Sequence, residues 1–307
     1  MGLIFVDIKM KKAIVFGGSG FVGSHVADAL TNTDIETTIF DINQSKFKND
    51  KQVFIQGSIL DQDLVNKAIE GKDYVYHLAG QADIGISFEA PKETLSLNIQ
   101  GTINILEACR TYNVERFVFA STIYVYSDLG GFYRASKQAC EIIIEEYQKN
   151  FGIDYTILRY GSLYGPRADE KNLIHRILKQ AILEKTIQIG YGSEEKRDYI
   201  HVYDAARMSV DILSKSYKNS HVMLTGHQYI SRGELLDIIN EMLGGDIKVE
   251  KADRQESDRL HGHYKFTPYV FKPQISKKLV SNEYLEFGQG ILNCMEEIHE
   301  KYVAQKS

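Results

Sequence analysis

The chain has 307 residues, of which 36 are basic and 41 acidic, and its formal net charge is −5. A chain of this length can bury a large core and is typical of one large domain with a smaller one. The acidic balance, without a basic run, argues against nucleic acid as a partner. No apolar segment reaches the length that spans a bilayer, so no membrane partner is expected.

Cysteine and histidine positions indicate neither a disulfide framework nor a metal site. The three cysteines, Cys109, Cys140 and Cys294, are odd in number and lack metal-ligand spacing, which fits a reducing cytoplasm. His261 and His263 form a close pair, but no cysteine or carboxylate is spaced nearby to complete a metal site. We therefore expect a cytoplasmic protein without a bound metal, whose first ten residues form a loose extension.

Short apolar segments alternate with helical periodicity through the first half of the chain. Residues 13–16 are apolar without alternation, as expected of a strand buried on both faces of a parallel sheet. Further strands are predicted at residues 37–40, 53–56, 74–78, 116–120 and 155–159, and helices at 24–30, 62–70, 94–110 and 133–150. This order predicts an α/β fold, a doubly wound parallel sheet of the Rossmann type with a smaller α/β substrate domain.

Three glycines between the first strand and the first helix have the spacing of a dinucleotide-binding loop. Gly17 permits a tight turn, Gly20 lets the backbone approach a pyrophosphate, and Gly23 allows close packing of the helix. The phosphate would then lie at a helix N-terminus, which favours negative charge. Asp41, at the end of the next strand, can accept hydrogen bonds from a ribose diol and would repel a 2′-phosphate, which predicts NAD rather than NADP. The alternative for Asp41 is a helix cap.

A tyrosine and a lysine four residues apart form the candidate catalytic pair. On a helix, Tyr133 and Lys137 share one face, and a neighbouring cation favours the phenolate of a tyrosine whose ordinary pKa is about 10. Thr122, at the end of a predicted buried strand, precedes them. Tyr302 and Lys306 have the same spacing without an upstream hydroxyl or a sheet, so we treat them as coincidental. The first pair is typical of a tyrosine that accepts a proton.

In this order, the motifs resemble those of the extended short-chain dehydrogenase/reductases, specifically their nucleotide-sugar epimerases, dehydratases and dehydrogenases. The resemblance runs from about residue 12 to about residue 206 and includes the segments 77–82, 98–102, 158–167 and 197–204. It implies that Tyr133 removes a proton from a sugar hydroxyl while hydride leaves the same carbon for the nicotinamide. By the same resemblance, Lys137 bonds the nicotinamide ribose and Thr122 bonds the reacting oxygen.

The resemblance also assigns binding residues. The implied cofactor contacts, beyond the residues already named, are Phe21, Val22, Ser58, Ile59, Leu78, Ala79, Gly80 and Asn98. The implied contacts to a nucleotide-sugar substrate are Ser87, Thr122, Ser162, Asn172 and Arg197, with residues around His261. Ser58 stands where the family often has an aspartate, and Ser162 where it often has an asparagine. Arg197 has a planar guanidinium suited to a diphosphate, and its alternative role is a surface ion pair with Glu194 or Glu195.

Two departures from the family pattern narrow the expected reaction. Dehydratases follow the strand-end threonine with an acidic pair, whereas this chain has Ile123 and Tyr124, so dehydration is not expected. Only a few residues separate the segment 125–127 from Tyr133, where the family has some twenty, which predicts an open site. We therefore expect oxidation of the 4-hydroxyl, with a 4-dehydrogenase slightly favoured. The alternatives are a 4-epimerase that retains NAD(H) and a non-catalytic NAD-binding sensor.

The resemblance extends to substrate, domains and assembly. Overall likeness to the GDP-heptose 4-dehydrogenases of bacterial capsule synthesis implies a GDP-linked manno-heptose as substrate. Residues 1–165 are predicted to form the NAD-binding domain, to which 197–225 return; residues 166–196 and 226–307 would bind the nucleotide sugar. Within the latter segments, helices are predicted at 172–184 and 231–243, and a strand at 187–189. A homodimer through the helices at 94–110 and 133–150, or a higher homo-oligomer, is expected.

Overall fold

The computed structural model describes residues 10–189, 195–226 and 229–251, all of which lie within one compact unit spanning Met1–Phe271. Predictions about the N-terminal extension, Glu194, His261 and its neighbours, Cys294, and the pair Tyr302 and Lys306 fall outside the described residues.

A seven-stranded sheet forms the centre of the described structure. All strands of the described residues, in chain order, are β1 (Lys12–Phe16), β2 (Glu36–Asp41), β3 (Gln52–Gln56), β4 (Tyr74–His77), β5 (Arg116–Thr122), β6 (Tyr155–Tyr160), β7 (Ser162–Tyr164), β8 (Thr186–Ile189), β9 (Lys196–His201), β10 (Ser220–Leu224), β11 (Tyr229–Ser231) and β12 (Lys248–Lys251). Seven of them form the central sheet in the order β10-β6-β5-β4-β1-β2-β3, and all neighbours in it are parallel. The predicted doubly wound fold is confirmed.

Helices alternate with these strands. They are α1 (Phe21–Thr31), α2 (Gln62–Ile69), α3 (Ile84–Glu89), α4 (Pro91–Leu95), α5 (Gly101–Thr111), α6 (Gly131–Phe151), α7 (Leu173–Glu184), α8 (Val202–Asp211) and α9 (Arg232–Met242). The helical segment predicted at 94–110 is confirmed, and within it a π-helical turn (Ser96–Gln100) joins α4 to α5. None of the described helices combines the length and hydropathy needed to cross a membrane.

Both faces of the central sheet are covered by apolar side chains. Along β1, Ile14 and Phe16 belong to one buried cluster while Ala13 and Val15 belong to another. Since successive side chains of a strand point to opposite faces, the two clusters lie on the two sides of the sheet. The apolar run without alternation is therefore explained by burial on both faces.

The remaining strands form two smaller sheets, with β9 between β11 and β7, and β12 parallel to β8. A third apolar cluster includes Ile177 of α7 and Leu236 of α9. Helix α9, predicted at 231–243, is confirmed, and it begins with a capping box between Ser231 and Glu234. Strand β10 belongs to the large sheet, whereas β9 does not. The division into two domains stays a prediction.

Candidate active site

The glycine loop lies at the point where the order of the sheet reverses. Strands β1 and β4 are neighbours, and ligands of open α/β sheets bind at the carboxyl ends of such a pair. Gly17, which follows β1, has a φ of +81°, and a Cβ added there would lie 2.5 Å from the backbone nitrogen of Ala79. Glycine is required because the loop passes directly against the segment that follows β4.

Gly23 and Gly20 have different constraints. A Cβ on Gly23 would lie 2.1 Å from the carbonyl oxygen of Gly17, so only glycine lets α1 begin this close to the loop. Gly20 caps α1 with an ordinary extended backbone, and its added Cβ would lie 3.3 Å from that same oxygen. Phe21 and Val22 are the first residues of α1 and are half-buried. The loop therefore leaves free backbone at a helix N-terminus, as a pyrophosphate needs.

Asp41 ends β2 and faces the glycine loop. One carboxylate oxygen accepts a hydrogen bond from the backbone nitrogen of Ser19 at 3.0 Å, and the other from that of Asn43 at 2.9 Å. Because no helix follows β2 before β3, the helix-cap alternative for Asp41 is wrong. The carboxylate is held beside the glycine loop, and its contact with a ribose diol stays a prediction.

Two further predicted cofactor residues follow β3. The hydroxyl oxygen of Ser58 accepts a hydrogen bond from the backbone nitrogen of Leu60 at 3.2 Å. Ile59 is buried, and its side chain fills the space that a Cβ on Gly101 would need. Both residues thus make contacts within the protein that hold the segment after β3, and their contact with the cofactor stays a prediction.

Asn98 connects the segment after β4 to α6. Its amide oxygen accepts from the backbone nitrogen of Gln81 at 2.7 Å, and its amide nitrogen donates to Gln81 O at 3.0 Å and to Ser136 Oγ at 2.8 Å. Gly80, in the segment containing Leu78 and Ala79, could not carry a Cβ, which would lie 2.7 Å from Asn98 Oδ1. Asn98 makes these contacts from within the π-helical turn.

Tyr133 and Lys137 lie on the first two turns of α6. Tyr133 is half-buried, whereas Lys137 is only 6% exposed and donates from Nζ to the carbonyl oxygen of Ala120 at 2.8 Å. Burial lowers the pKa of Lys137 to about 8, against the opposing effects of Cys140 and Glu141. The lysine is thus held at the end of β5, beneath the predicted reaction centre.

Thr122 is the last residue of β5 and is buried. Its Oγ1 accepts from the backbone nitrogen of Tyr124 at 3.2 Å, which starts a short 3-10 helix (Ile123–Tyr126). Because Lys137 bonds Ala120, two residues before Thr122, the structure brings all three predicted catalytic residues to the same end of the sheet.

A tight turn replaces the longer loop that the family pattern places before the catalytic tyrosine. Residues 127–130 connect the 3-10 helix to α6, and Arg134 holds the turn by donating to Ser127 O at 2.6 Å. Gly130 has a φ of +96°, and its Cβ would lie 3.0 Å from the ring of Tyr124. The Tyr124 ring in turn stands edge-on to the Tyr133 ring, with centroids 6.4 Å apart. The turn is therefore well packed.

Two predicted substrate residues make contacts within the protein. Ser87 is fully buried and its hydroxyl donates to Ile84 O at 2.7 Å. Asn172 caps α7 by accepting from His175 N at 3.2 Å, and it donates to Leu163 O at 2.8 Å. These contacts do not favour a role in substrate binding for Ser87 or Asn172, which stays a prediction for both.

Arg197 and Ser162 lie on neighbouring strands of a small sheet. Arg197 is buried, with its NH2 atom 3.2 Å from Glu195 Oε2, and Arg232 lies 2.8 Å from the same oxygen. The ion-pair alternative for Arg197 is thus present, although it is buried rather than on the surface. Ser162 begins β7, in register with Tyr199 of β9. Contact of Arg197 and Ser162 with a substrate diphosphate stays a prediction.

The sequence motifs did not reveal a buried carboxylate on the face of α6 that carries Tyr133 and Lys137. Glu141, one turn after Lys137, accepts two hydrogen bonds from the guanidinium of Arg159 on β6. Its spacing of four residues from Lys137 was the available signal, since it places a third polar side chain on one face of α6.

The arrangement at this end of the sheet defines a class of protein. A glycine cradle at the switch point, an acidic residue after the second strand and a tyrosine–lysine helix beside the fifth strand are the features of a dinucleotide-dependent enzyme. The chain belongs to the NAD-dependent epimerase/dehydratase family, whose model matches residues 13–226. The predicted family resemblance is confirmed. The protein is an enzyme, and its cofactor is NAD.

Similar proteins include nucleotide-sugar 4-epimerases. A putative UDP-glucose 4-epimerase of Methanocaldococcus jannaschii is 32% identical over 294 residues, covering 86% of this chain and 94% of the relative. The structure of UDP-glucose 4-epimerase from Thermotoga maritima with UDP-glucose is similar with a TM-score of 0.75 and 26% identity, covering 81% and 88%. That of Bacillus cereus UDP-glucuronic acid 4-epimerase, with UDP-glucuronic acid and NAD, has a TM-score of 0.74 and 26% identity, covering 86% and 95%.

The residues present fit NAD. Gly17 and Gly23 form a cradle that a Cβ at either position would fill, and α1 begins at its edge. Asp41 holds a carboxylate at the loop, where a 2′-phosphate would be repelled. Bound NAD supplies a hydride acceptor.

Proposed function

We propose that this enzyme oxidises the 4-hydroxyl of a nucleotide-activated sugar, with Tyr133 as the base. The observation that carries the proposal is the position of Lys137, buried one turn after Tyr133 and bonded at the end of the strand that carries Thr122. Tyr133 would take the proton of the sugar hydroxyl, while Thr122 would hydrogen-bond the same oxygen. Lys137 would stabilise the phenolate electrostatically.

The lysine supports this role only while it is charged. Burial lowers the pKa of Lys137 to about 8, so its ammonium form predominates below that pH and is lost above it. Stabilisation of the Tyr133 phenolate should therefore weaken as the pH rises through about 8.

The fate of the oxidised sugar divides the proposal into two outcomes. The names of the similar proteins favour a 4-epimerase, which retains NAD(H) and returns the hydride to the other face. The short turn at residues 127–130 favours a 4-dehydrogenase, because a site without a covering loop can release a keto sugar. Ile123 and Tyr124 offer no acidic pair for dehydration.

The nucleotide is also part of the proposal. Similar proteins carry UDP-linked sugars in their names and complexes, which supports a UDP-sugar. Overall likeness to GDP-heptose 4-dehydrogenases supports GDP-manno-heptose instead. In either case, residues 166–196 and 226–307 are proposed to hold the nucleotide sugar, with Ser162, Asn172 and Arg197 as candidate contacts, while residues 1–165 and 197–225 hold NAD. A non-catalytic sensor is disfavoured because Tyr133 and Lys137 are both present.

The change Tyr133→Phe tests the base. We expect the rate of sugar oxidation to fall by roughly 10²- to 10⁴-fold, the usual contribution of a positioned acid–base group. NAD affinity, measured by calorimetry, should not change. Tyr147→Phe, on the same helix but bonded to Glu107, is the matched control and should keep the rate. Unchanged oxidation by the Tyr133→Phe variant would refute the assignment.

A panel of UDP- and GDP-linked sugars tests the outcome. The wild-type enzyme is incubated with each sugar and NAD, NADH is followed by absorbance, and sugar products are identified by NMR. Accumulation of a 4-keto sugar with NADH would select the dehydrogenase. Inversion at C4 without net NADH would select the epimerase, and a product that has lost water would contradict both.

A further inference from the structure

We propose that Glu141, bound to Arg159 and Ser121, is a positioning residue that fixes α6 against β5 for the reaction. The proposal rests on the function proposed for Tyr133 and Lys137, both of which α6 carries. It adds a residue that touches neither substrate nor cofactor and acts through the catalytic pair.

The contacts of Glu141 are buried and specific. Its side chain is on the same helix face as the catalytic pair, one turn beyond Lys137, and the residue is 6% exposed. Oε1 accepts from Arg159 Nε at 3.1 Å and Oε2 from Arg159 NH2 at 2.6 Å, which is a bidentate pair. Ser121, the neighbour of Thr122 on β5, donates its hydroxyl to Oε1 at 2.5 Å. One carboxylate thus joins α6 to β5 and β6.

Arg159 extends the same network to the turn after Thr122. Its guanidinium donates to the hydroxyl of Tyr126 and lies 4.7 Å from the centre of that ring. Tyr126 ends the 3-10 helix that Thr122 begins. The ion pair therefore contacts every element that carries a proposed catalytic residue, as well as the segment between them.

A buried ion pair of this kind is better explained by positioning than by stability. Desolvation of two charges offsets most of their attraction, and apolar replacements are often as stable, whereas removal of one partner leaves a buried charge uncompensated. Glu141 also raises the pKa of Lys137 against the effect of burial. Titratable groups that interact with Lys137 or Glu141 include His77, Cys140, Tyr155, Arg159 and His221.

The change Glu141→Gln tests the proposal without any sugar. The Lys137 titration is followed by NMR in protein labelled with ¹³C at the lysine Cε, and the signal is assigned with Lys137→Met. We expect the Lys137 midpoint to fall by about half a pH unit or more, because an anion near the ammonium is removed while Arg159 keeps its charge. Glu145→Gln is the matched control: Glu145 lies one turn further along α6 and is nearer to His221, at 3.2 Å, than Glu141 is, at 3.9 Å, so the Lys137 midpoint should not move. Equal midpoints in wild type and Glu141→Gln would overturn the proposal.

A double variant covers the case in which Glu141→Gln does not fold. Replacing Glu141 and Arg159 together by methionine removes both charges and should keep the fold. We expect the Lys137 signal to move toward those of exposed lysines and kcat to fall at least about tenfold with NAD affinity retained, because α6 is no longer held against β5. A folded double variant with the wild-type Lys137 signal would overturn the proposal. Absence of sugar oxidation by the wild-type enzyme would instead contradict the proposed function and leave the NMR result valid.

Discussion

At the scale of single residues, the buried ammonium of Lys137 lowers the stability of the folded protein, but it lies where the proposed reaction needs a positive charge beside Tyr133. Its amine is desolvated at the end of β5, which lowers its pKa from 10.5 to about 8. The folded state therefore binds fewer protons than the unfolded state between these values, and stability should rise with pH across this window. At neutral pH the buried charge costs roughly 3 kcal/mol of stability.

Lys137→Met should therefore stabilise the protein at pH 7 while abolishing activity. We expect a gain of roughly 2 kcal/mol in the free energy of unfolding, because the charge penalty is removed and one hydrogen bond, worth about 1 kcal/mol, is lost. The gain should shrink to near zero by pH 9.5, where the wild-type lysine is mostly neutral when folded. Urea unfolding at both pH values measures it, with Lys67→Met as an exposed-lysine control. A loss of stability of equal size at both pH values would contradict this account.

Residue identity alone did not distinguish a ligand contact from a structural one. Asn172 and Ser87 were assigned to the substrate by resemblance, yet their side chains cap a helix and bond a helix carbonyl. Short polar side chains often bond nearby backbone in this way, and the motif does not reveal which partner is chosen. Asp41 was assigned more securely, since its position at a strand end beside the glycine loop follows directly from the order of elements.

At the scale of elements, two glycines of the glycine loop are needed for different reasons: Gly23 for folding and Gly20 for binding. Gly23 is needed in the protein itself, because α1 starts against the carbonyl of Gly17. Gly20 has an ordinary backbone, and its added Cβ would lie 3.3 Å from Gly17 O, a tight contact that a shift of a few tenths of an ångström relieves. Its glycine is better explained by the approach of a ligand.

Alanine at these two positions should have opposite effects. Gly23→Ala is expected to destabilise the protein by about 3 kcal/mol or more, because its Cβ would meet backbone that cannot move freely. Gly20→Ala should leave stability within about 1 kcal/mol but weaken NAD binding at least about tenfold. Urea unfolding and calorimetry measure the two quantities. Equal loss of stability in both variants would contradict the different roles assigned to Gly23 and Gly20.

Local pattern predicted the elements well and their irregularities poorly. The apolar runs placed the six strands of the first half, of which β1 shows most clearly the composition that burial on both faces produces. The helical periodicity at 94–110 was real, but the π-turn around Asn98 was not visible in it. Asn98, within this turn, bonds Gln81 and Ser136, which are distant in the chain and which a local pattern does not reveal.

At the scale of the whole molecule, the expected homodimer stays a prediction that rests on family resemblance. Helix α6, one of the two helices assigned to the interface, exposes Ile142 to 62%. An exposed apolar side chain on this helix is compatible with a partner copy, although single exposed apolar residues also occur on monomers.

Ile142→Arg should convert the dimer to a monomer, because a charge would be buried without a partner at the contact. Light scattering coupled to size exclusion at micromolar concentration measures the mass. Ile182→Arg on α7, at a position that is 56% exposed, is the control and should keep the wild-type mass. A wild-type protein that is monomeric, or an Ile142→Arg variant that stays dimeric, would refute the predicted interface.

The sequence by itself determined the alternation of strands and helices in the Rossmann half, the glycine loop, the choice of NAD and the pair Tyr133 and Lys137. These features depend on spacing within one segment or between consecutive segments, which the chain displays directly. Only the tertiary structure decided that Lys137 is buried and that Glu141 binds Arg159 of β6 rather than solvent. Such contacts join residues far apart in the chain, and their energies depend on burial and on which side chains the packed elements bring together.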